Sequence, residues 1–443
     1  MNAIINYKQR RLFMNRLSRK NFIYTGLLLF SMFFGAGNLI FPPFSGNQAG
    51  TSVFGAMLGI SITAVLFPVL GVAAVAKTDG LDNLAGRVHK IFALSFSVLI
   101  YLSIGPMIAI PRAATVPFEM AFLPYLPQDF SPKLALLIFS FIFFALTYWL
   151  SATPNKLVDR MGKILSPLLI LFILVIFVVI AVGPKNIAPP TGNYSNSAFL
   201  QGFIDGYQTM DVAAALVFGL VVTVIMKSYQ LTDRNVIVKS TILIGILAGI
   251  ILGIIYFMIG YVGAAGSGFS QSSENGAQIL SRMVIGSFGN FGIVIVGITF
   301  LLACLTTCVG LVTSCSEYFS SLIPKISYKA FALIITIFSF AIANQGLSKI
   351  LSFSVPILIF LYPICFVLIG LAFLDPLFKG NRRVYQITVG ATAVLSFLDA
   401  FQTNLEIDIM KKLPLGDFGL SWVLPVAFVF ILGCVVVLLK NKA

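Results

Sequence analysis

The sequence predicts an all-α polytopic membrane protein with about twelve transmembrane helices, and three observations support this fold class. First, 58% of the 443 residues are hydrophobic and 10% are charged, whereas soluble proteins carry roughly a quarter charged residues. Second, a helix needs about 20 apolar residues to cross the hydrocarbon core of a bilayer, and the chain offers about twelve such stretches. Third, the basic residues are concentrated in alternate connections between these stretches, as the positive-inside rule requires of a multi-pass protein.

We number the predicted spans 1 to 12 in chain order. They cover residues 22–46, 51–76, 91–111, 132–152, 162–183, 198–226, 236–262, 290–319, 328–343, 347–373, 384–400 and 418–439. The longest connections are 183–197, 263–289 and 401–417. The second of these is predicted to contain a short interfacial helix or lid, and the third to be a solvated loop.

The net charge of +14 is explained by topology rather than by nucleic-acid binding. If the N-terminus is cytoplasmic, 22 of the 29 basic residues fall on the inside and seven on the outside. The seven are Arg112, Lys133, Lys185, Arg282, Lys349, Lys411 and Lys412. This excess predicts that both termini are cytoplasmic and that the number of spans is even.

Span 1 contains a helix-breaking run, FSMFFGAGNLIFPP, at residues 30–43. Gly35, Gly37 and Asn38 loosen the chain in mid-span, and the pair Pro42–Pro43 removes two backbone donors. An unwound segment at membrane depth is tolerated only where it is buried or lines a polar cavity. We therefore expect one half-helix to end near Phe34 and another to begin near Leu39.

Such a break suits a zwitterion. The second half-helix presents free N–H groups, and hence a positive dipole end, to a carboxylate. The first half-helix presents free carbonyls to a cation such as Na⁺ or an ammonium group. The alternative interpretation is close helix packing through small residues, but here the small residues are consecutive. The candidate substrate-binding residues of this break are Gly35, Ala36, Gly37 and Asn38.

Span 6 has the second candidate break, because its first half is polar and its second half is apolar. The polar residues are Gln201, Asp205, Gln208, Thr209 and Asp211. Five spans separate the start of span 1 from the start of span 6, so the two cross the membrane in opposite directions. Interrupted spans at corresponding positions of two halves indicate an inverted-repeat transporter and mark its binding site.

This pattern predicts the organisation of the chain. Residues 1–21 form a cytoplasmic tail, 22–183 the first five-helix repeat, 198–373 the second, inverted repeat, and 384–440 two additional helices.

Asp211 is the strongest single candidate, because an ionisable residue inside a span is costly and usually functional. It could bind a cation or order the unwound segment. Asp205 lies nearer the outer end of the span, where helix capping or contact with water is an equally good explanation. Met107, Met210 and Val212 are candidates, by position, for an apolar pocket that holds a side chain.

Span 8 offers two adjacent hydroxyls, Thr306 and Thr307. Hard cations prefer oxygen ligands, so these hydroxyls and the carbonyls of a facing broken helix could form a cage for Na⁺. Equally, each hydroxyl could bond the preceding turn of its own helix. The pair Thr313–Ser314 is the second choice for the same role.

The sequence offers little support for an enzyme. The one histidine, His89, lies between Arg87 and Lys90 in a predicted loop. Neither a phosphate-binding P-loop nor a nucleophile elbow is present in the printed sequence. Uphill transport would therefore depend on an ion gradient.

GAGNLIFPP at 35–43 and GYQTMD at 206–211 resemble the signatures of the branched-chain amino acid–cation symporter family of bacterial carriers. The resemblance covers essentially the whole chain. It implies uptake of leucine, isoleucine and valine across the cytoplasmic membrane, coupled to Na⁺ or alternatively to H⁺. It also implies a core of two inverted five-helix repeats with discontinuous helices 1 and 6.

The resemblance further implies site residues. A sodium site would combine the carbonyls of Ser31 and Phe34 with Ala303, Thr306 and Thr307. Asn38 corresponds to a residue that in some relatives helps to bind a second sodium, and Asp211 stands where sodium-coupled relatives have a hydroxyl. By their position in the chain, and not from the resemblance, Met107, Gln208 and Met210 are further candidate substrate contacts.

Three alternatives remain open from the sequence. The nearest is a carrier of the same fold for another small neutral or zwitterionic solute. A channel and a membrane enzyme are the others, and saturable, accumulative uptake would exclude the channel.

Overall fold

The computed structural model describes residues 17–127, 129–269, 275–405, 413–416 and 419–440, and within these ranges the regular secondary structure is entirely helical. The predicted N-terminal tail up to residue 16 and residues 406–412 and 417 of the 401–417 connection lie outside the described residues. The α-helices are α1 (Arg19–Phe33), α2 (Ala36–Ala49), α3 (Val53–Ser61), α4 (Phe67–Thr78), α5 (Leu81–Gly86), α6 (Lys90–Leu102), α7 (Ala109–Pro117), α8 (Pro132–Ser151), α9 (Ser166–Val182), α10 (Asn193–Asp205), α11 (Asp211–Ser228), α12 (Arg234–Ala265), α13 (Gly276–Phe288), α14 (Asn290–Leu322), α15 (Tyr328–Ala343), α16 (Leu347–Leu374), α17 (Arg382–Leu405) and α18 (Val423–Lys440).

The helices reproduce the predicted spans. Nine helical segments of the described residues are long and apolar enough to cross a membrane, and two shorter apolar helices correspond to spans 9 and 12. Span 1 consists of α1 and α2, and span 6 of α10 and α11, so an interruption divides each of them. Helix α13 lies in the connection where the sequence predicts a short interfacial helix or lid.

The break in span 1 is shorter than predicted. Helix α1 ends at Phe33, and α2 already begins at Ala36 rather than near Leu39. Only Phe34, with a ψ of 87°, and Gly35, with a ψ of −155°, leave the helical conformation. Pro42 and Pro43 lie inside α2 because the fixed φ of proline is compatible with a helix; their cost is two missing N–H donors.

The break in span 6 is longer. A 3₁₀ turn, Gly206–Thr209, follows α10, and Met210 adopts a left-handed conformation with a φ of 70°. Helix α11 then starts at Asp211. The predicted position of this break is therefore confirmed, and it includes a non-glycine residue in the left-handed region, which is uncommon in proteins.

Span 3 extends further than predicted, and this overturns the placement of Arg112 outside the membrane. The apolar helical segment runs from Lys90 to Tyr125, and Arg112 is only 3% exposed. The predicted end at residue 111 was wrong because prolines at 111 and 117 interrupt the hydropathy pattern, whereas the chain continues through a π-helical turn, Phe118–Phe122.

The halves of spans 1, 2, 6 and 7 on the side of α2 pack through glycines. A Cβ added to Gly46 of α2 would lie 2.9 Å from Cα of Gly260 in α12, and one added to Gly202 would lie 2.9 Å from Cα of Ala56. Helix α13 covers α2 in the same way, since a Cβ on Gly276 would lie 2.7 Å from the carbonyl carbon of Ile40. Backbones approach this closely only where side chains are absent, so this side of the molecule is sealed.

The opposite side is open. A cavity of about 620 Å³ lies among the ends of α1, α8, α11, α14 and α15, and we call it the inner cavity. Its walls include Asn21, Lys163, Tyr229, Thr313 and Tyr328. It opens at the end of the molecule where α1 begins, which is the end that the basic residues assign to the cytoplasm.

Candidate functional site

The two breaks meet at a small buried cavity, which we call the central cavity. A Cβ on Gly37 would lie 3.1 Å from the Cα of Thr209, so the first turn of α2 packs directly against the 3₁₀ turn of span 6. The central cavity has a volume of about 20 Å³, which is roughly the space needed by one water molecule. Its walls are Met32, Phe33, Gly35, Ala36, Gly37, Asn38, Ile104, Ala109, Arg112, Ala113, Thr209, Met210, Asp211, Ala214, Thr307 and Leu311.

Asn38 connects the two breaks. Its Oδ1 accepts a hydrogen bond from the backbone N–H of Gly35 at 2.8 Å, and its Nδ2 donates to Oδ2 of Asp211 at 2.9 Å. The hydroxyl of Tyr256 donates to the same carboxylate oxygen and also contacts the Asn38 amide. Asn38 and Asp211 are each 1% exposed. A buried network whose members are bonded to each other holds its geometry firmly.

The predicted ion ligands also come together. Thr306 Oγ1 lies 3.0 Å from the carbonyl oxygen of Ser31, and Thr307 Oγ1 lies 3.3 Å from it. Thr306 Oγ1 additionally lies 3.1 Å from the carbonyl oxygen of Ala303. Thr306 thus bonds the preceding turn of its own helix and also faces the end of α1. Phe34, the remaining predicted ligand, is fully buried at the break itself.

The chemistry of this cluster suits a hard monovalent cation. Its donor atoms are neutral oxygens from a backbone turn and two hydroxyls, of which Thr306 is fully buried and Thr307 partly buried. The carbonyl of Ser31 lies in the last turn of α1, where helix carbonyls lack intrahelical partners. In the second-choice pair, Thr313 and Ser314, neither hydroxyl bonds the end of a broken helix within the described residues. Ser314 bonds the Gly310 carbonyl of its own helix at 2.7 Å, and Thr313 lies at the wall of the inner cavity with its hydroxyl oxygen buried.

Of the remaining predicted substrate-binding residues, Met210 lines the central cavity and Gln208 does not. Gln208 contacts the site through its backbone carbonyl, which accepts a hydrogen bond from Arg112 Nη1 at 3.2 Å. Met107 ends a π-helical turn in span 3 that is kinked at Gly105. From span 3, the residues that line the central cavity are Ile104, Ala109, Arg112 and Ala113.

The sequence reasoning missed Arg112 and Tyr256 as members of the site. The signal for Arg112 was present, because the run IPRAATVPFEMAF at 110–122 is long and apolar apart from two charged residues. An ionisable residue in such a run is a functional candidate by default. Tyr256 carried no such signal, since tyrosines are common in apolar spans.

The partly buried carboxylate of Asp205 has a structural role, because it is held by hydrogen bonds away from the central cavity. Its Oδ2 accepts from Ser45 Oγ at 2.6 Å and from the Tyr194 hydroxyl, and its Oδ1 accepts from Gln201 Nε2 at 2.9 Å. The carboxylate thus ties α10 to α2 on the sealed side. It does not line the central cavity.

Discontinuous spans 1 and 6 that meet around a buried cavity are the arrangement found in transporters built on inverted repeats. Solved structures agree with this fold class. A Na⁺-coupled sialic acid symporter in a substrate-bound, outward-open state matches with a TM-score of 0.61 at 15% identity, covering 95% of this chain and 90% of that one. MhsT in complex with L-phenylalanine matches with a TM-score of 0.57 at 14% identity, covering 96% and 99%. The predicted fold is confirmed.

The chain belongs to the branched-chain amino acid transport protein family, whose profile matches residues 18–440. The branched-chain amino acid permease BraB of Bacillus subtilis (strain 168) is 42% identical over 415 residues, which is 92% of this chain and 93% of the relative. The family predicted from the two signature motifs is therefore confirmed. The protein is a multi-pass membrane transporter and not an enzyme.

Proposed function

We propose that the protein is a secondary-active symporter that imports leucine, isoleucine and valine together with Na⁺ by alternating access. The observation that carries this proposal is the oxygen cluster of Ser31, Thr306 and Thr307, which adjoins the central cavity where two broken helices meet. The name of BraB supports branched-chain amino acids as the solute, and the name of the sialic acid symporter supports Na⁺. Coupling to H⁺ is the alternative.

In this proposal Na⁺ is held by the carbonyls of Ser31 and Phe34 together with Ala303, Thr306 and Thr307. The ion would join the end of α1 to α14 and so order the break in span 1. An ordered break would then present α2 correctly to the solute, which is how ion binding would favour solute binding. Ions and solute can move an equilibrium between two states only through such a difference in affinity.

The solute would lie between the two breaks. Its charged groups would contact Gly35, Ala36, Gly37, Asn38, Gln208 and Asp211, and its side chain would contact Met107 and Met210. Most of the other residues that line the central cavity are apolar, among them Met32, Phe33, Ile104 and Leu311. Ligand pockets for apolar side chains have this composition. A cavity of about 20 Å³ is too small for leucine, so binding requires the helices to move apart.

The two sides of the molecule support alternating access. The outer side is closed by glycine-mediated packing, and the inner side holds a cavity of about 620 Å³. We take this conformation to face the cytoplasm. The repeats at 22–183 and 198–373 would rock against each other, with 384–440 outside the repeats, in a bacterial cytoplasmic membrane with both termini inside.

The proposal is tested by uptake into proteoliposomes that contain the purified protein. Labelled leucine should accumulate when a Na⁺ gradient is imposed, and a Na⁺ ionophore should abolish the accumulation. Accumulation driven by a pH gradient in Na⁺-free buffer would instead identify H⁺ as the coupling ion. Isoleucine and valine should compete, whereas sialic acid and phenylalanine should not. Failure of all three branched-chain amino acids to accumulate under either gradient would refute the proposal.

A further inference from the structure

Arg112 places a positive charge at the centre of the molecule without a paired anion. Among the described residues, the ion pairs within 4.0 Å are Arg87–Asp375, Lys163–Asp159 and Arg234–Asp79. Arg112 belongs to none of them, although it is only 3% exposed. Its Nη1 donates to one backbone carbonyl at 3.2 Å, and its buried Nε has no hydrogen-bond partner. A guanidinium offers five N–H donors, and burying such a group unpaired is strongly unfavourable.

The position of Arg112 adds a second positive feature to this unpaired positive charge. A Cβ on Gly37 would lie 2.7 Å from Nη2 of Arg112, so the guanidinium adjoins the first turn of α2. The N–H groups of a first turn lack intrahelical partners and carry a partial positive charge. Asn38 caps only the N–H of Gly35. Two positive features therefore meet at one wall of the central cavity, an arrangement that is favourable only with an anion between them.

We infer that Arg112, together with the first turn of α2, binds the α-carboxylate of the transported amino acid. Asp211 supplies the opposite charge for the α-ammonium group. Both side chains line the central cavity, yet they do not form an ion pair with each other. A zwitterion placed between them neutralises both, and an arginine fork matches a carboxylate in geometry. This inference rests on the proposed transport of amino acids and names the residue that recognises the carboxylate.

The rival explanation is that Arg112 merely balances the charge of Asp211 and positions span 6 through the Gln208 carbonyl. The two explanations differ in what the ligand must contain. A carboxylate-binding arginine matters only for ligands with a carboxylate, whereas a positioning arginine matters for every ligand of the site.

The experiment measures binding of L-leucine and L-leucinol to the purified full chain in Na⁺ buffer by isothermal titration. Leucinol keeps the ammonium group and the side chain but has no carboxylate. The wild type should prefer leucine by about 30-fold or more, because removing one partner of a buried charged hydrogen bond has an effect of this size. Arg112→Gln should weaken leucine binding by about the same factor, leave leucinol binding within about threefold, and so abolish the preference. Arg234→Gln, which removes an exposed ion pair, is the matched control and should change neither.

Two results would overturn the inference. One is an equal loss of affinity for leucine and leucinol in Arg112→Gln, and the other is recovery of leucine binding in the double variant Arg112→Gln/Asp211→Asn. If Arg112→Gln does not fold, Arg112→Lys decides the question: lysine keeps the charge but not the fork, so the preference for leucine should fall, and an unchanged preference would contradict us. A wild type that binds leucinol but no branched-chain amino acid would refute the inference and the proposed function together, whereas normal leucine binding with an unaltered Arg112→Gln would refute the inference alone.

Discussion

The breaks in spans 1 and 6 lie against each other, yet they are held in opposite ways. The first is two residues long and is held by neutral groups, namely the Asn38 amide and the hydroxyls that face Ser31. The second spans a 3₁₀ turn and a left-handed Met210, and the carboxylate of Asp211 follows it immediately. The neutral oxygens at the end of α1 suit an ion that must bind and leave, whereas the carboxylate after the second break suits the ammonium group of a solute.

Only one side chain joins the two breaks directly by hydrogen bonds within the described residues. Asn38 accepts from the backbone of the first break and donates to the carboxylate that follows the second. In the proposed function the ion contacts the end of α1, the solute contacts α2 and the second break, and Asn38 connects the two. Four substitutions test this division, and they follow in order of expected effect.

Asp211→Asn should have the largest effect. It removes the charge from the second break while keeping the shape, and kcat/KM for leucine uptake should fall about 100-fold, as expected when one member of a buried charge pair with the substrate is lost. Initial uptake rates in proteoliposomes measure this. Asp399→Asn is the control, because Asp399 is a buried carboxyl group of α17 that does not line the central cavity. Activity within twofold of the wild type would remove Asp211 from the site.

Asn38→Ala should weaken the binding of both the solute and the ion. The loss leaves the Gly35 N–H without its partner and removes one of the two donors to Asp211 Oδ2, at a cost of about 1–3 kcal/mol. The leucine KM and the Na⁺ concentration for half-maximal uptake should each rise about tenfold. Asn83→Ala, which removes an exposed amide bonded to a backbone carbonyl, should change neither. A change in only one of the two parameters would show that Asn38 does not connect the breaks.

Thr307→Ala should affect the first break alone. The Na⁺ concentration for half-maximal uptake should rise about fivefold, because one charge-neutral oxygen contact is worth about 1 kcal/mol. The leucine KM at saturating Na⁺ should stay nearly constant. Thr313→Ala is closely matched, since Thr313 is a buried threonine of the same helix whose hydroxyl lacks a hydrogen-bond partner. An equal shift in both variants would show that the ion does not bind at Thr307.

Tyr256→Phe should have the smallest effect. It removes one of the donors to Asp211 but leaves the Asn38 bond in place, so the leucine KM should rise about threefold. Tyr261→Phe is the control. Tyr261 lies on the same helix, its ring contacts Lys185 rather than Asp211, and this variant should behave as the wild type. A threefold change in the Na⁺ dependence with no change in KM would assign Tyr256 to the ion rather than to the solute.

The two breaks could be predicted from the sequence because glycine, proline and polar residues inside an apolar stretch are visible locally. The extent of the first break could not be predicted. Pro42 and Pro43 look like helix breakers, but α12 and α13 pack closely on this part of α2, and such tertiary contacts override local propensity. The second break was better defined, because Asp211 and its polar neighbours stand directly before an apolar half-helix.

The candidate site was only partly predictable for a similar reason. The proximity of Thr306 and Thr307 to Ser31 depends on how α14 crosses α1, and the family resemblance rather than any local pattern identified this pairing. Arg112 was misplaced because two prolines divide the hydropathy of its span, and hydropathy alone cannot distinguish a loop arginine from one turned toward the centre of the protein.

The shortness of the first break has a mechanical consequence. With only two unwound residues, α1 can swing as a rigid lever about Phe34 and Gly35. The 15 residues of α1 make an arm about 22 Å long, so a tilt of about 15° displaces its far end by about 6 Å. The arm leans on Gly162, where an added Cβ would lie 3.4 Å from Leu28 Cβ. Because Thr307 lies beside Gly35 and Ser31 lies on the last turn of α1, an ion bound as proposed would join α14 to both sides of this pivot and fix the angle of α1.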